Sequence, residues 1–198
     1  EVILPNLCYI GGGGEIAYWL ELKSYFEAAN VTFPVLLVRN SVLLATQKQY
    51  GKLDKLGLTW ADMFSKQQQL VNKKVQEFSE FELDFKEQKE HLQKQFEKLA
   101  EIATKTDLTF KGAVEAQQAK QIKGLENLEK KLLRAEKKKH AEQLERITSL
   151  QNEMFPGQGL QERKANFAEF YLEFDGKLVD ELLARLQPLE HEFTVIVL

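Results

Sequence analysis

The sequence predicts an α/β chain: a βαβ unit, completed by a C-terminal helix and strand, with a long antiparallel helical coiled coil inserted between them. Three observations predict it. Within the first 38 residues a short apolar segment runs into four glycines, then an amphipathic stretch, then a second apolar run. From about Lys66 to Ala103 the composition turns to Lys, Glu and Gln with no Gly or Pro, and apolar residues recur every seventh position. The chain closes on Phe193 to Leu198, an almost wholly apolar run with the look of a strand.

Residues Asn6 to Ile10 read as the first strand. A helix from about Gly14 to Ala29 follows, with Ile16, Trp19, Leu20, Leu22, Lys23 and Phe26 on its apolar face and Asn30 as its stop. Phe33 to Val38 is continuous and apolar, as a buried parallel strand would be. Val42 to Ala45 is a short apolar segment. A small helix from Thr46 to Leu56 stops at Gly57, and Thr59 to Asp62 has the form of an N-cap for another near Trp60 to Phe64.

In the central stretch Val71, Phe78, Phe85, Leu92 and Leu99 form one seam. Val75, Phe96 and Ala103 form the alternate one, broken by Glu82 and Lys89. Thr104 to Asp107 interrupts it, with Thr106 or Asp107 as cap for a helix from Leu108 to Asn152. That helix carries Val114, Leu125, Leu128, Leu132, Ala135, Leu144, Ile147 and Met154, with a slip of phase near Lys137 to His140. Two helices of roughly 55–65 Å at about 1.5 Å per residue, joined by a short break, argue for an antiparallel hairpin. Phe155 to Gly159 closes it. A last helix opens at Leu160, shows Phe167, Phe170, Tyr171, Phe174, Leu178, Leu182 and Leu186 on one side, and ends at Pro188. The expected division is 1–64 core segment, 65–155 coiled-coil hairpin, and 156–198 returning helix and strand.

Composition narrows the function classes. With 198 residues, 43% of them hydrophobic, the chain can bury a core. A net charge of −3 gives no field favouring nucleic acid or anionic membrane. No apolar run approaches the roughly 20 residues needed to span a bilayer, and no signal-peptide pattern is present. The single cysteine, Cys8, fits a reducing cytoplasm and reads as a buried small hydrophobe in a strand. The start at Glu1, close to a core strand, suggests a fragment whose N-terminal portion carries more of the sheet. His91, His140 and His191 have no partner at ligand spacing, so no metal site is expected. The basic run Lys130 to Lys139 is interleaved with glutamates and reads as a solvated helix face.

The candidate site is the glycine turn. In a βαβ unit ligands lie beyond the carboxyl ends of the strands, which brings Gly11, Gly12, Gly13, Gly14 and Glu15 beside Arg39, Asn40 and Ser41. The turn lacks both the dinucleotide fingerprint and the Lys-Ser/Thr of a P-loop. Glu15 either only caps the helix or also meets an amine or hydroxyl; in both cases it competes with a phosphate for the turn amides. Arg39 is an anion clamp or a surface residue of a turn. Gln161, Glu162, Arg163 and Asn166, one turn into the last helix, either face this turn as a supporting layer or form a solvated first turn.

Three stretches together, Asn6 to Lys23, Phe33 to Ser41, and Leu160 to Phe167 with Pro188 and Phe193 to Val195, resemble the C-terminal part of the bacillithiol biosynthesis cysteine-adding enzyme family, BshC. Gly13 stands where that family's G-G-P-G-E turn carries Pro. The resemblance implies a Rossmann-type core related to nucleotidyltransferases and a coiled coil that makes a homodimer. It implies a ligase that joins cysteine to glucosaminyl-malate through an amide in the cytoplasm. By carry-over, Gly11 to Glu15, Tyr18, Arg39, Asn40 and Ser41 line the cleft. No catalytic residue is assigned, and the resemblance leaves a nucleotide cofactor open. Two other readings stand beside it: a non-catalytic coiled-coil scaffold with an α/β anchor, and a nucleotide-binding module.

Overall fold

A computed structural model describes residues 1–103, 105, 108–174 and 176–198. The chain divides into two compact units, one of residues 1–55 and 152–198, the other of residues 56–151.

The first unit begins with β1 (Cys8–Gly11), α1 (Gly13–Glu21), α2 (Lys23–Ala28) and β2 (Val35–Val38). β1 and β2 pair in parallel with Cys8 opposite Val35 and Gly11 opposite Val38, giving the expected βαβ unit. The expected single helix is two, because the chain tightens into a turn at Leu22, whose N–H donates to Trp19 three residues back. Ile16, Trp19, Leu22 and Phe26 face inward, whereas Leu20 and Lys23 are exposed. Trp19 stacks on Tyr9 with ring centroids 4.4 Å apart, and Phe26 meets Phe33 edge-on at 5.1 Å. These rings fill the space between the helices and the strand pair. Asn30 ends α2 in the left-handed region at φ 53°, which Asn tolerates well among non-glycine residues.

Two burial expectations fail in this part. Cys8 is exposed, and so is Val35 at 67%. Alternate side chains of a strand point to opposite faces. α1 and its aromatic rings cover only one face of this two-stranded sheet, so Cys8, Ile10 and Val35 lie open.

The segment expected only to be apolar is a strand, β3 (Ser41–Ala45), followed by α3 (Gln47–Lys55). Thr46 and Gln49 cap α3 reciprocally, at 2.9 and 3.2 Å. Gly57 at φ 60° supplies the stop.

In the second unit, α4 (Trp60–Met63) begins at the Thr59–Asp62 capping box, and α5 (Gln67–Phe78), α6 (Lys86–Ala103), α7 (Leu108–Lys139) and α8 (Ala141–Met154) follow, the last running on into the first unit. Neither long helix is continuous. The chain is extended at Ser79 and re-enters helix at Lys86, and the second arm breaks at His140, where the phase slip was read. The inward positions Leu132, Glu136, His140 and Leu144 are spaced by four residues three times running, which is the stutter.

One cluster gathers Val75, Leu83 and Leu144 with Phe78 and Leu132; another gathers Phe96, Ala103 and Val114 with Leu92 and Ala100. Three seam residues are misplaced by the strict seven-residue repeat. Leu99, Leu128 and Ala135 are exposed, and their neighbours Ala100, Glu129 and Glu136 face inward instead. Glu129 accepts from the Phe85 N–H at 2.7 Å and pairs with Lys89 at 2.6 Å. The polar interruption at Lys89 therefore has a charged partner. The caps assigned to Thr106 and Asp107 lie outside the described residues.

The first unit resumes with a 3₁₀ turn at Pro156–Gln158, then α9 (Gln161–Lys164), α10 (Phe167–Glu173), α11 (Leu178–Arg185) and β4 (Phe193–Val197). The single closing helix is thus three short ones. Phe167 and Tyr171 are exposed, while Phe170, Phe174, Leu182 and Leu186 pack around Leu44, Leu178 and Ile196. β4 does not join the first sheet. It pairs in parallel with β3 alone, Ser41 opposite Phe193 and Ala45 opposite Val197, so there are two separate two-stranded sheets among the described residues. Only Ile196 of β4 is fully buried.

The second unit holds a buried carboxylate with defined energetics. Burial opposes ionisation of Asp62, but Lys73 at 2.6 Å and the Thr59 N–H and hydroxyl outweigh it and hold the pKa at about 2. A folded pKa below the unfolded value of 3.8 contributes stability that is present above pH 4 and lost as pH falls towards 2. With the exposed Lys73 partner discounted, this is on the order of 1–2 kcal/mol. Asp62→Asn should lower the midpoint of urea unfolding at pH 7 and flatten its fall between pH 4 and 2. An unchanged acid limb would show that other carboxylates govern it.

Candidate functional site

The site is built where β1 meets α1. Gly12 is the N-cap of α1, in extended backbone at φ −71° and ψ 163°. Its N–H donates to Glu15 Oε2 at 2.9 Å. This is half of a capping box, since Gly12 has no side chain to return the bond. Glu15 therefore occupies an amide that a phosphate would need. Close packing explains the first two glycines. A methyl group on Gly11 would fall 2.7 Å from the Tyr9 ring and 3.0 Å from Glu15 Oε2. One on Gly12 would fall 2.6 Å from Arg163 Nη2 and 3.2 Å from Arg39 Nη2. Gly13 and Gly14 have open space around them.

Arg39 follows β2 and its N–H extends the ladder to the Gly11 carbonyl at 2.9 Å. Its side chain is exposed and makes no ion pair among the described residues. Asn40 Nδ2 donates to the Gln187 carbonyl at 2.9 Å, a bond that ties the end of α11 to the β2–β3 connection. The Ser41 hydroxyl donates to Glu162 Oε1 at 3.3 Å, and the Val42 N–H to Glu162 Oε2 at 3.2 Å. Tyr18 is 61% exposed, on the side of α1 away from the aromatic cluster.

The short helix α9 supplies the rest. Gln161 is buried and brackets Leu44 of β3, accepting from its N–H and donating to its C=O, both at 2.9 Å. The side-chain amide thus behaves as one more strand residue at that edge. Leaving these buried backbone groups unpaired would cost about 1–3 kcal/mol. Glu162 lies 3.7 Å from Arg163 Nε. Asn166 has a different place: its side chain accepts from the Ala168 N–H at 2.9 Å and caps α10. The fold thus brings Gly12, Glu15, Arg39 and Arg163 to one turn and links Ser41 to Glu162. It gives Gln161, Asn40 and Asn166 backbone-bonding duties. The edge-binding role of Gln161 left no signal in the sequence, because Val42 to Ala45 did not announce itself as a strand.

Gly13 is the first residue of α1 and follows an extended Gly12, which is the backbone that precedes proline without clash. Gly13→Pro should therefore raise unfolding stability by about 0.5–1 kcal/mol. A lower melting temperature would show that the Gly13 conformation differs from the one described.

Residues 42–198 match the family model described as bacillithiol biosynthesis BshC, C-terminal coiled-coil domain, and residues 1–40 match the BshC N-terminal Rossmann-like domain. A relative from Flavobacterium johnsoniae, whose name includes the words cysteine ligase BshC, is 59% identical over 99% of this chain and 37% of its own length. One of like name from Cytophaga hutchinsonii is 33% identical over 95% of this chain and 36% of its own length. The chain therefore spans a little over a third of the curated relatives it matches. Among the described residues no helix is long and apolar enough to cross a membrane. The chain belongs to the bacillithiol biosynthesis BshC family, covering part of its Rossmann-like domain and its C-terminal coiled-coil domain.

Proposed function

We propose that this chain is the C-terminal part of a cytoplasmic ligase that adds cysteine to glucosaminyl-malate through an amide bond. The observation that carries the reading is the glycine turn, where the Glu15 carboxylate and the Arg39 guanidinium both lie close to Gly12. The reaction needs both signs of charge. The glucosaminyl amine forms the new bond to the cysteine carbonyl carbon and gives up one proton, the carboxylic acid gives up its hydroxyl, and the two leave as water overall. Glu15 suits the amine or a sugar hydroxyl, and Arg39 suits a carboxylate. Gly11 to Gly14, Tyr18, Asn40 and Ser41 complete the substrate face, with Gln161 and Glu162 supporting it through β3 and Arg163 beside Gly12. Glu15 at the Gly12 amide speaks against a phosphate on this turn, so a nucleotide, if used, belongs elsewhere in the full protein.

The helical stretch reads as an antiparallel coiled-coil hairpin in the layout 1–64, 65–155 and 156–198. The contact pairs support it: Phe78 with His140, Phe85 with Glu129, and Phe96 and Ala103 with Val114 run in opposite directions along the two arms. Its exposed Leu99, Ile102 and Leu128 are apolar surface suited to a second copy in a homodimer.

The ligase reading is tested on the full-length protein, with cysteine and glucosaminyl-malate and mass-spectrometric detection of the adduct. The parent should form product, and Glu15→Ala and Arg39→Ala should lower turnover at least about tenfold, the effect of losing one charge-assisted hydrogen bond. No adduct from the folded parent, with and without added nucleotide, would reject the reaction. The present 198 residues alone are expected to be inactive. For the dimer, Leu128→Asp should give a monomer by light scattering with helicity intact. A dimer that survives it would move the interface off this surface.

A further inference from the structure

Two guanidinium groups converge on Gly12. The Nη2 atoms of Arg39 and Arg163, from chain segments more than a hundred residues apart, both lie beside the Cα of Gly12, 3.2 and 2.6 Å respectively from where a Cβ would stand. Two guanidinium groups repel at such a separation, and each is permanently charged. Arg163 has a neighbouring carboxylate, Glu162, but that contact is to its Nε at 3.7 Å. Both Glu162 oxygens are also engaged with Ser41 and Val42. Arg39 has no carboxylate partner among the described residues. The outer nitrogens of both forks are therefore left for something else. Both side chains are exposed, so a ligand can reach them.

We propose that Arg39 and Arg163 form a two-guanidinium clamp, closed over the bare Cα of Gly12, that takes the dicarboxylate end of the substrate. This deepens the ligase reading and rests on it for the identity of that end, the malyl group. The geometry favours carboxylates over phosphate: planar forks match planar carboxylates two bonds at a time, and Glu15 holds the turn amide that a phosphate would use. Glu162 is a positioning residue. By holding Ser41 and Val42 while lying against Arg163, it fixes the α9 fork relative to β3. Gly12 is required because any side chain there displaces both forks. Since the displaced atoms are the far ends of flexible side chains, Gly12→Ala leaves the fold intact.

The test uses the full-length protein and calorimetric titration with malate, with lactate and inorganic phosphate as separate arms. Malate should bind the parent. Arg39→Ala, Arg163→Ala and Gly12→Ala should each weaken it at least about tenfold. Lactate, with one carboxylate, and phosphate should bind more weakly than malate. No malate binding to the parent, malate binding untouched by Arg163→Ala, or tighter binding of phosphate would each overturn the clamp. Ligation kinetics separate the two claims. If the parent makes no cysteine adduct yet malate binding depends on both arginines, the clamp stands and the ligase reading falls. If the parent ligates and Arg163→Ala leaves the KM for glucosaminyl-malate unchanged, the ligase stands and the clamp falls.

Discussion

The pair of hydrogen bonds between Gln161 and the backbone of Leu44 is the constraint on which the first unit depends. β3 has one strand neighbour, β4, and its other edge would otherwise carry bare buried backbone groups at Leu44. A single side-chain amide meets both the donor and the acceptor there. Because Gln161, Glu162 and Arg163 are consecutive, fixing the first one fixes the others. Glu162 then reaches Ser41 and Val42 at the start of the same strand, and Arg163 reaches the glycine turn. A bond made for strand geometry thereby sets where a charge lies in the site.

In the second unit register is set by polar residues. Apolar side chains slide past one another at little cost, but Glu129 has one N–H and one ammonium to meet, at Phe85 and Lys89. Farther along, Glu136 and His140 face each other at 3.5 Å at the break between α7 and α8. Polar seam positions reduce stability and increase specificity of alignment. The helix break falls at the step where three successive four-residue intervals throw the seam out of phase.

How much of this was legible in the sequence depends on range. Local signals read well: the capping box at Thr59 and Asp62 and the stops at Asn30 and Gly57 follow from residues a few positions apart, and the βαβ unit from one short stretch of chain. What the sequence hid was settled by partners far away. Val42 to Ala45 is too short and too uniformly apolar to declare itself, and becomes a strand because Phe193 to Val197 lies beside it. Leu99 and Leu128 satisfied a repeat of seven, but a helix of 3.6 residues per turn drifts from that repeat, and their neighbours Ala100 and Glu129 took the inward place. At the glycine turn, the closeness of Glu15 and Arg39 to Gly12 was legible from the βαβ unit, while Asn166, read as facing that turn or as part of a solvated first turn, is a helix cap.

The pairing of β3 with β4 has a consequence for the order in which the protein is made. Ser41 leaves the ribosome long before Phe193, its partner in the ladder. Local contacts form quickly and distant ones slowly. The helices between residues 56 and 151 can therefore settle on one another while β3 still waits with an open edge. The first unit can close only when the last few residues of this chain have emerged, so any stall or truncation near the C-terminus leaves an apolar strand bare after the helices have already formed.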